Sequence, residues 1–103
     1  MNEQLLSFLS LTKRAGRLAL GFDVVKEAVL KQRTGLVLCT SDLSPKTEKE
    51  INLICSRAGV ERRTIPETMD EIWFSVSKRS GVLAVLDQGM ADRIRQMLKP
   101  LDG

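Results

Sequence analysis

Two short runs constrain this chain more than any other feature. Leu36-Val37-Leu38-Cys39-Thr40 and Gly81-Val82-Leu83-Ala84-Val85-Leu86 are apolar at nearly every position. Runs of this length without alternation mark strands covered on both faces, which requires a layer of helices on each side of a sheet. The segments around them have helical periods, so helix and strand alternate along all 103 residues. That pattern implies right-handed crossovers and a sheet between two helical layers. The fold expected for the chain is a single domain, a three-layer α/β/α sandwich with a mixed four-stranded sheet and about five helices.

The helices have readable ends. Asn2 is placed to cap a first helix with Leu5, Phe8, Leu9 and Thr12 on one face, and Gly16 fits its C-terminal end. Leu18–Leu20 is a short strand leading to Gly21, and a second helix is expected from near Asp23, with Val25, Ala28 and Val29 inward and Gly35 as its stop. Ser44 followed by Pro45 is a strong start for a third helix. Its inner face is expected to be Thr47, Ile51, Ile54, Cys55 and Ala58, closed by Gly59. Val60–Ile65 carries Glu61, Arg62 and Arg63, too polar for the middle of a sheet, and reads as an edge strand. Thr68 and Glu71 have capping-box spacing before a stripe of Met69, Ile72, Trp73 and Val76. Met90, Ile94, Met97, Leu98 and Leu101 form the stripe of a last helix.

Composition removes several functions. With no histidine, neither a Ser-His-Asp nor a Cys-His arrangement can form. Cys39 and Cys55 alone fall short of the about four ligands that zinc takes, and their sixteen-residue spacing reads as two buried free thiols in a reducing cytoplasm. No cofactor or metal is expected. The apolar stretch Leu5–Leu11 is preceded by Glu3 and followed by Lys13-Arg14, the reverse of a secretory signal, and no stretch approaches the roughly 18 apolar residues of a membrane span. Charge is uneven: residues 1–35 sum to +3, 36–75 to −2 and 76–103 to +2. A basic excess at both ends of the chain suits an anionic partner if the two ends meet in space.

Three groups of residues could carry chemistry. Lys13, Arg14 and Arg17 surround the end of the first helix, and Lys26 lies one turn into the second, beside Gly21-Phe22-Asp23. A glycine at a strand-to-helix turn exposes helical N–H groups to a phosphate. The loop Ser77-Lys78-Arg79-Ser80-Gly81 has the composition of a nucleic-acid backbone contact, and equally that of a plain polar loop. Asp42 and Asp87 each follow a buried strand, where they could jointly hold Mg²⁺ for phosphoryl transfer or simply organise turns. Aromatics are few, and Phe8 and Trp73 fit core stripes, which argues against a stacking platform for single strands.

Three segments together resemble a known family: Leu5-Leu6 with Lys13-Arg14-Ala15-Gly16-Arg17-Leu18 and Gly21, then Leu36 through Ser44, then Val82 through Ala91. In this order and spacing they are similar to small bacterial members of the ribosomal protein L-seven-Ae / L-thirty-e superfamily. The resemblance implies an α/β/α sandwich and binding of RNA kink-turns, in which the start of the second helix reads tandem G·A pairs through Gly-x-Asn-Glu and a following lysine. Gly21 and Lys26 match the glycine and the lysine, while Asp23-Val24 stands where the family has Asn-Glu. A loop before the last strand, Val76 through Ser80 here, is implied to hold an extruded nucleotide. The expected function is therefore non-catalytic RNA binding by a ribosome-associated, cytoplasmic monomer whose partner is a structured ribosomal or messenger RNA. The expected footprint is Lys13, Arg14, Arg17, Gly21, Phe22, Asp23, Lys26, Val76, Ser77, Lys78 and Arg79. A Mg²⁺-dependent phosphoryl-transfer enzyme or nucleotide binder using Asp42 and Asp87, and a protein-interaction module of the same fold, are the alternatives.

Overall fold

The structure, a computed structural model, describes residues 3–98. The expected Asn2 cap and the end of the last stripe at Leu101 lie outside them. The described elements are α1 (Glu3–Arg14), β1 (Leu18–Leu20), α2 (Phe22–Leu30), β2 (Leu36–Cys39), α3 (Pro45–Ala58), β3 (Glu61–Thr64), α4 (Met69–Val76), β4 (Val82–Val85) and α5 (Gln88–Leu98). The strands form one mixed sheet in the order β1-β4-β2-β3. Only β2 and β3 are parallel, joined through α3, whereas β4 runs antiparallel to both of its neighbours.

Strand pleating divides the core into two halves. Leu20, Leu36, Leu38, Leu83 and Val85 face one layer, where they meet Leu5 and Leu9 of α1, Ile72 of α4 and Ile94 of α5. Ala19, Val37, Cys39, Val82 and Ala84 face the other, against Val25 and Val29 of α2 and Ile51 and Cys55 of α3. The uninterrupted apolar runs of β2 and β4 follow from this: every residue of both strands is buried. Both thiols are buried in the second half, and desolvation raises the Cys39 thiol and pushes that of Cys55 up to about 11.

Local signals behave as the residue chemistry requires. The Ser44 hydroxyl accepts from the Thr47 amide, with Pro45 at the first helical position, and Gly59 closes α3 in the left-handed conformation. Thr68 and Glu71 form a complete capping box at α4. The polar edge strand is held by ions: Arg62 pairs with Glu48 of α3 on one face, while Glu61 pairs with Arg63 and with Arg95 of α5 on the other.

Four expectations need correction. Only β2–α3–β3 is a crossover between parallel neighbours, because β4 runs antiparallel to β1 and β2. Helix α2 begins at Phe22 with Gly21 as its N-cap, but it stops at Leu30 and turns at Lys31 and Gln32, so Gly35 precedes β2 rather than ending the helix. On α3, Ile51 and Cys55 are the buried positions, Ile54 is half-buried and Ala58 is exposed. Trp73 is not in the core: α4 turns Ile72 and Val76 inward, leaving Trp73 52% and Phe74 85% exposed.

Candidate nucleic-acid interface

The sheet has two functionally different ends. At one, β1, β2 and β3 finish and β4 begins, because Leu20 pairs with Leu83, and Cys39 pairs with both Val82 and Thr64. Gly21, the β2–α3 loop, the β3–α4 connection and the α4–β4 loop therefore converge there. At the other end, Leu18 and Leu36 both lie opposite Val85, and the Leu86 amide donates to the carbonyl of Arg17 at 2.8 Å.

Gly21 sits at the centre of the first end. Its φ of 102° lies in the region that favours glycine, and it caps α2 with no side-chain hydrogen bond, so the first-turn N–H groups have no capping side chain. The Gly21 amide donates to Val82 at 3.0 Å, which ties the turn to the central strand. Asp23 and Lys26 are exposed on α2, and Phe22 packs against the second core half. Lys78 arrives from the other side: its Nζ lies 3.4 Å from the Leu20 carbonyl oxygen and 3.9 Å from where a Cβ on Gly21 would stand. A cation fifty-seven residues away in sequence thus stands over the open end of α2, where the helix dipole already favours an anion.

Ser77, the C-cap of α4, is left-handed at φ 63° and donates its amide to the Trp73 carbonyl, which turns the loop toward Gly21. Arg79 is exposed but engaged, its Nε 2.9 Å from Asp70. The Ser80 hydroxyl is turned inward onto the Val82 carbonyl at 2.7 Å, so it is spent on the fold.

The expected footprint is only partly assembled. Gly21, Phe22, Asp23, Lys26, Ser77, Lys78 and Arg79 share one end. Val76 is 2% exposed and is a core residue that anchors the loop, correcting its place among contact residues. Arg17 is at the opposite end of the sheet, and Lys13 and Arg14, in the last turn of α1, lead into it. Arg14 also lines a cleft between α1 and α4. Sequence reasoning missed the β3–α4 connection: the Glu67 carbonyl accepts from both the amide and the hydroxyl of Ser41, which brings residues 65–68 to the Gly21 end. No sequence signal marks this, since it depends on the parallel pairing of β2 with β3.

Asp42 and Asp87 do not form a site. Strands β2 and β4 are antiparallel, so the two carboxylates lie beyond opposite ends of the sheet, with the whole length of the strands between them. Each serves a helix: Asp42 accepts from the Met69 amide at 3.1 Å at the start of α4, and Asp87 from the Met90 amide at 2.8 Å at the start of α5. Among the described residues, no group of three or more metal-ligating side chains occurs, and no helix is long and apolar enough to cross a membrane.

Fold and site together define an α/β/α domain that presents a glycine-capped helix start and a crossing lysine at one end of a mixed sheet. The chain belongs to the L-seven-Ae / L-thirty-e superfamily, among its small bacterial members. It is 32% identical over 91 residues to RNA-binding protein YlxQ of Bacillus subtilis (strain 168), covering 87% of this chain and 90% of that protein. Among solved structures it matches a protein with unknown function from Bacillus halodurans C, with a TM-score of 0.82, 24% identity and coverage of 90% and 94% of the two chains. It also matches a Giardia lamblia 15.5kD RNA binding protein, with a TM-score of 0.75, 17% identity and coverage of 94% and 87%. No family model matches the chain.

Proposed function

We propose that this chain is a non-catalytic, ribosome-associated cytoplasmic protein that binds a bent, structured RNA, a kink-turn or a similar element, as a monomer through the Gly21 end of its sheet. The observation that carries this reading is Lys78 standing over Gly21 at the start of α2, where no side chain caps the helix, with exposed Lys26 one turn further on. Lysines joined only by the fold, beside free helical amides, suit a phosphate backbone that bends sharply at one point. The RNA-binding names of YlxQ and of the Giardia protein support the same class.

The carboxylate of Asp23 sets the specificity of the site. A guanine presents O6 and N7 as acceptors in the major groove, and an ionised aspartate has nothing to donate to them. Backbone and shape contacts therefore dominate here, and asparagine at this position supplies the missing donor while removing a negative charge.

Filter binding to a tandem-G·A kink-turn RNA at several salt concentrations tests the site. Lys26→Ala and Lys78→Ala each weaken binding and lower the salt slope by about one, as the loss of one phosphate contact does. Arg57→Ala, at the far end of α3, changes neither. Asp23→Asn tightens binding to the kink-turn more than to a plain duplex of equal length. An Arg57→Ala loss equal to that of Lys26→Ala would put the RNA on another surface, and equal tightening of both RNAs by Asp23→Asn would remove G·A reading from this position.

A further inference from the structure

The chain has four aromatic residues, and two of them stand adjacent on the surface. Trp73 and Phe74 are stacked, with ring centroids 6.0 Å apart and planes inclined by 30°. Phe74 forms one wall of a cleft of about 500 Å³ between α1 and α4. Leu6 supplies a second apolar wall, Ser10 a hydroxyl, Arg14 a guanidinium, and Glu3 and Glu71 two carboxylates, of which that of Glu71 already accepts from the Thr68 amide through one oxygen. The Ser75 hydroxyl donates to the Leu6 carbonyl and holds the two helices together at the cleft.

The lining selects its occupant. A bare phosphate would use only Arg14 and leave the two carboxylates and the aromatic wall unmatched, and neither a lipid chain nor an all-apolar side chain satisfies the carboxylates. A nucleobase is flat, uncharged and able to stack on Phe74. An exocyclic amino group gives it a donor for a carboxylate, as in carboxylate reading of the cytosine amine. Arg14 at the same cleft suits the nucleotide's own phosphate. The cleft also adjoins the interface already described: Phe74 precedes Ser77 by three helical residues, about 4.5 Å along the axis, and Lys78 follows at once.

We infer that the α1–α4 cleft is a second subsite, which stacks an unpaired, amino-bearing base next to the structured RNA held at Gly21. The inference rests on the RNA-binding reading and extends it from a bent helix to a single-stranded flank.

Trp73 is the only tryptophan of the chain and is stacked on Phe74, so its emission reports on the cleft through that wall. The test uses the kink-turn RNA with no tail, with a short adenosine tail and with a short uridine tail, read by filter binding and Trp73 emission. The adenosine tail tightens binding about tenfold and quenches Trp73, and the uridine tail does less. Phe74→Ala abolishes the gain and leaves the untailed RNA within about twofold. Glu3→Gln narrows the difference between adenosine and uridine. Free oligoadenosine quenches Trp73 in the parent chain but not in Phe74→Ala, and that result supports the cleft even if kink-turn binding fails. A tail that adds no affinity, or a gain that survives Phe74→Ala, overturns the inference. So does a Trp73 emission shift that follows protein concentration without RNA, since a second copy would then cover the aromatic pair.

Discussion

Ile51 and Ile54 lie one turn apart on α3, yet burial separates them. Ile51 is fully enclosed between α2 and the sheet, whereas Ile54 only borders the same core half. Ile51→Ala is expected to cost about 2–5 kcal/mol, from lost transfer energy plus the residual cavity. Ile54→Ala should cost less than half as much, because solvent fills part of the space. Urea denaturation with a shared m-value measures both, and equal costs would mean that α3 is rotated about its axis. The thiols show burial acting on chemistry: with the Cys55 pKa pushed up to about 11, neither cysteine should react with a thiol reagent at neutral pH until the chain unfolds.

Among the elements, β3 and α5 are joined by charge rather than by apolar area. Hydrogen bonds from Arg95 and Arg63 hold the Glu61 carboxyl below its usual 4.5. A depressed carboxylate stabilises the fold above its unfolded value, and that contribution is lost as pH falls through the folded value. Acid unfolding of Glu61→Gln should therefore be shallower than that of the parent below about pH 4.5, while both slopes agree near neutrality. At α4, the Thr68 hydroxyl and the Glu71 carboxylate satisfy each other's backbone amides. Thr68→Ala is expected to lower stability by about 1 kcal/mol in a thermal melt. That change would also loosen the aromatic face, because α4 is only eight residues long and depends on its ends.

For the whole molecule, the antiparallel placement of β4 decides what the two ends of the sheet can do. Asp42 and Asp87 each follow an apolar run, but opposite strand directions send them apart. Their losses should be additive: the double Ala variant is expected to equal the sum of the singles within about 0.5 kcal/mol, whereas a shared site would give a larger coupling. The same topology separates Arg17 from Lys78. Arg17→Ala should leave kink-turn affinity within about twofold and its salt slope unchanged, in contrast to Lys78→Ala.

The layered architecture was legible in the residues because it rests on local physics. Strands covered on both faces must be apolar throughout, Ser44-Pro45 and Thr68 with Glu71 satisfy helix amides close to themselves, and Gly59 takes a conformation that other residues resist. Gly21 was legible as a strand-to-helix turn for the same reason, and Lys26 lies five residues further along the same helix start. Lys78 was legible as a cation but not as a neighbour of Gly21, since that contact exists only once β1 and β4 pair. Trp73 shows the limit of periodicity: both the stripe through Met69 and the stripe through Ile72 and Val76 are helical, and only the packing of α1 against α4 selects which one is buried. Strand order and direction belong to the same class. They arise from which apolar faces can be covered at once, a property of all the elements together, and they determine which charges end up side by side.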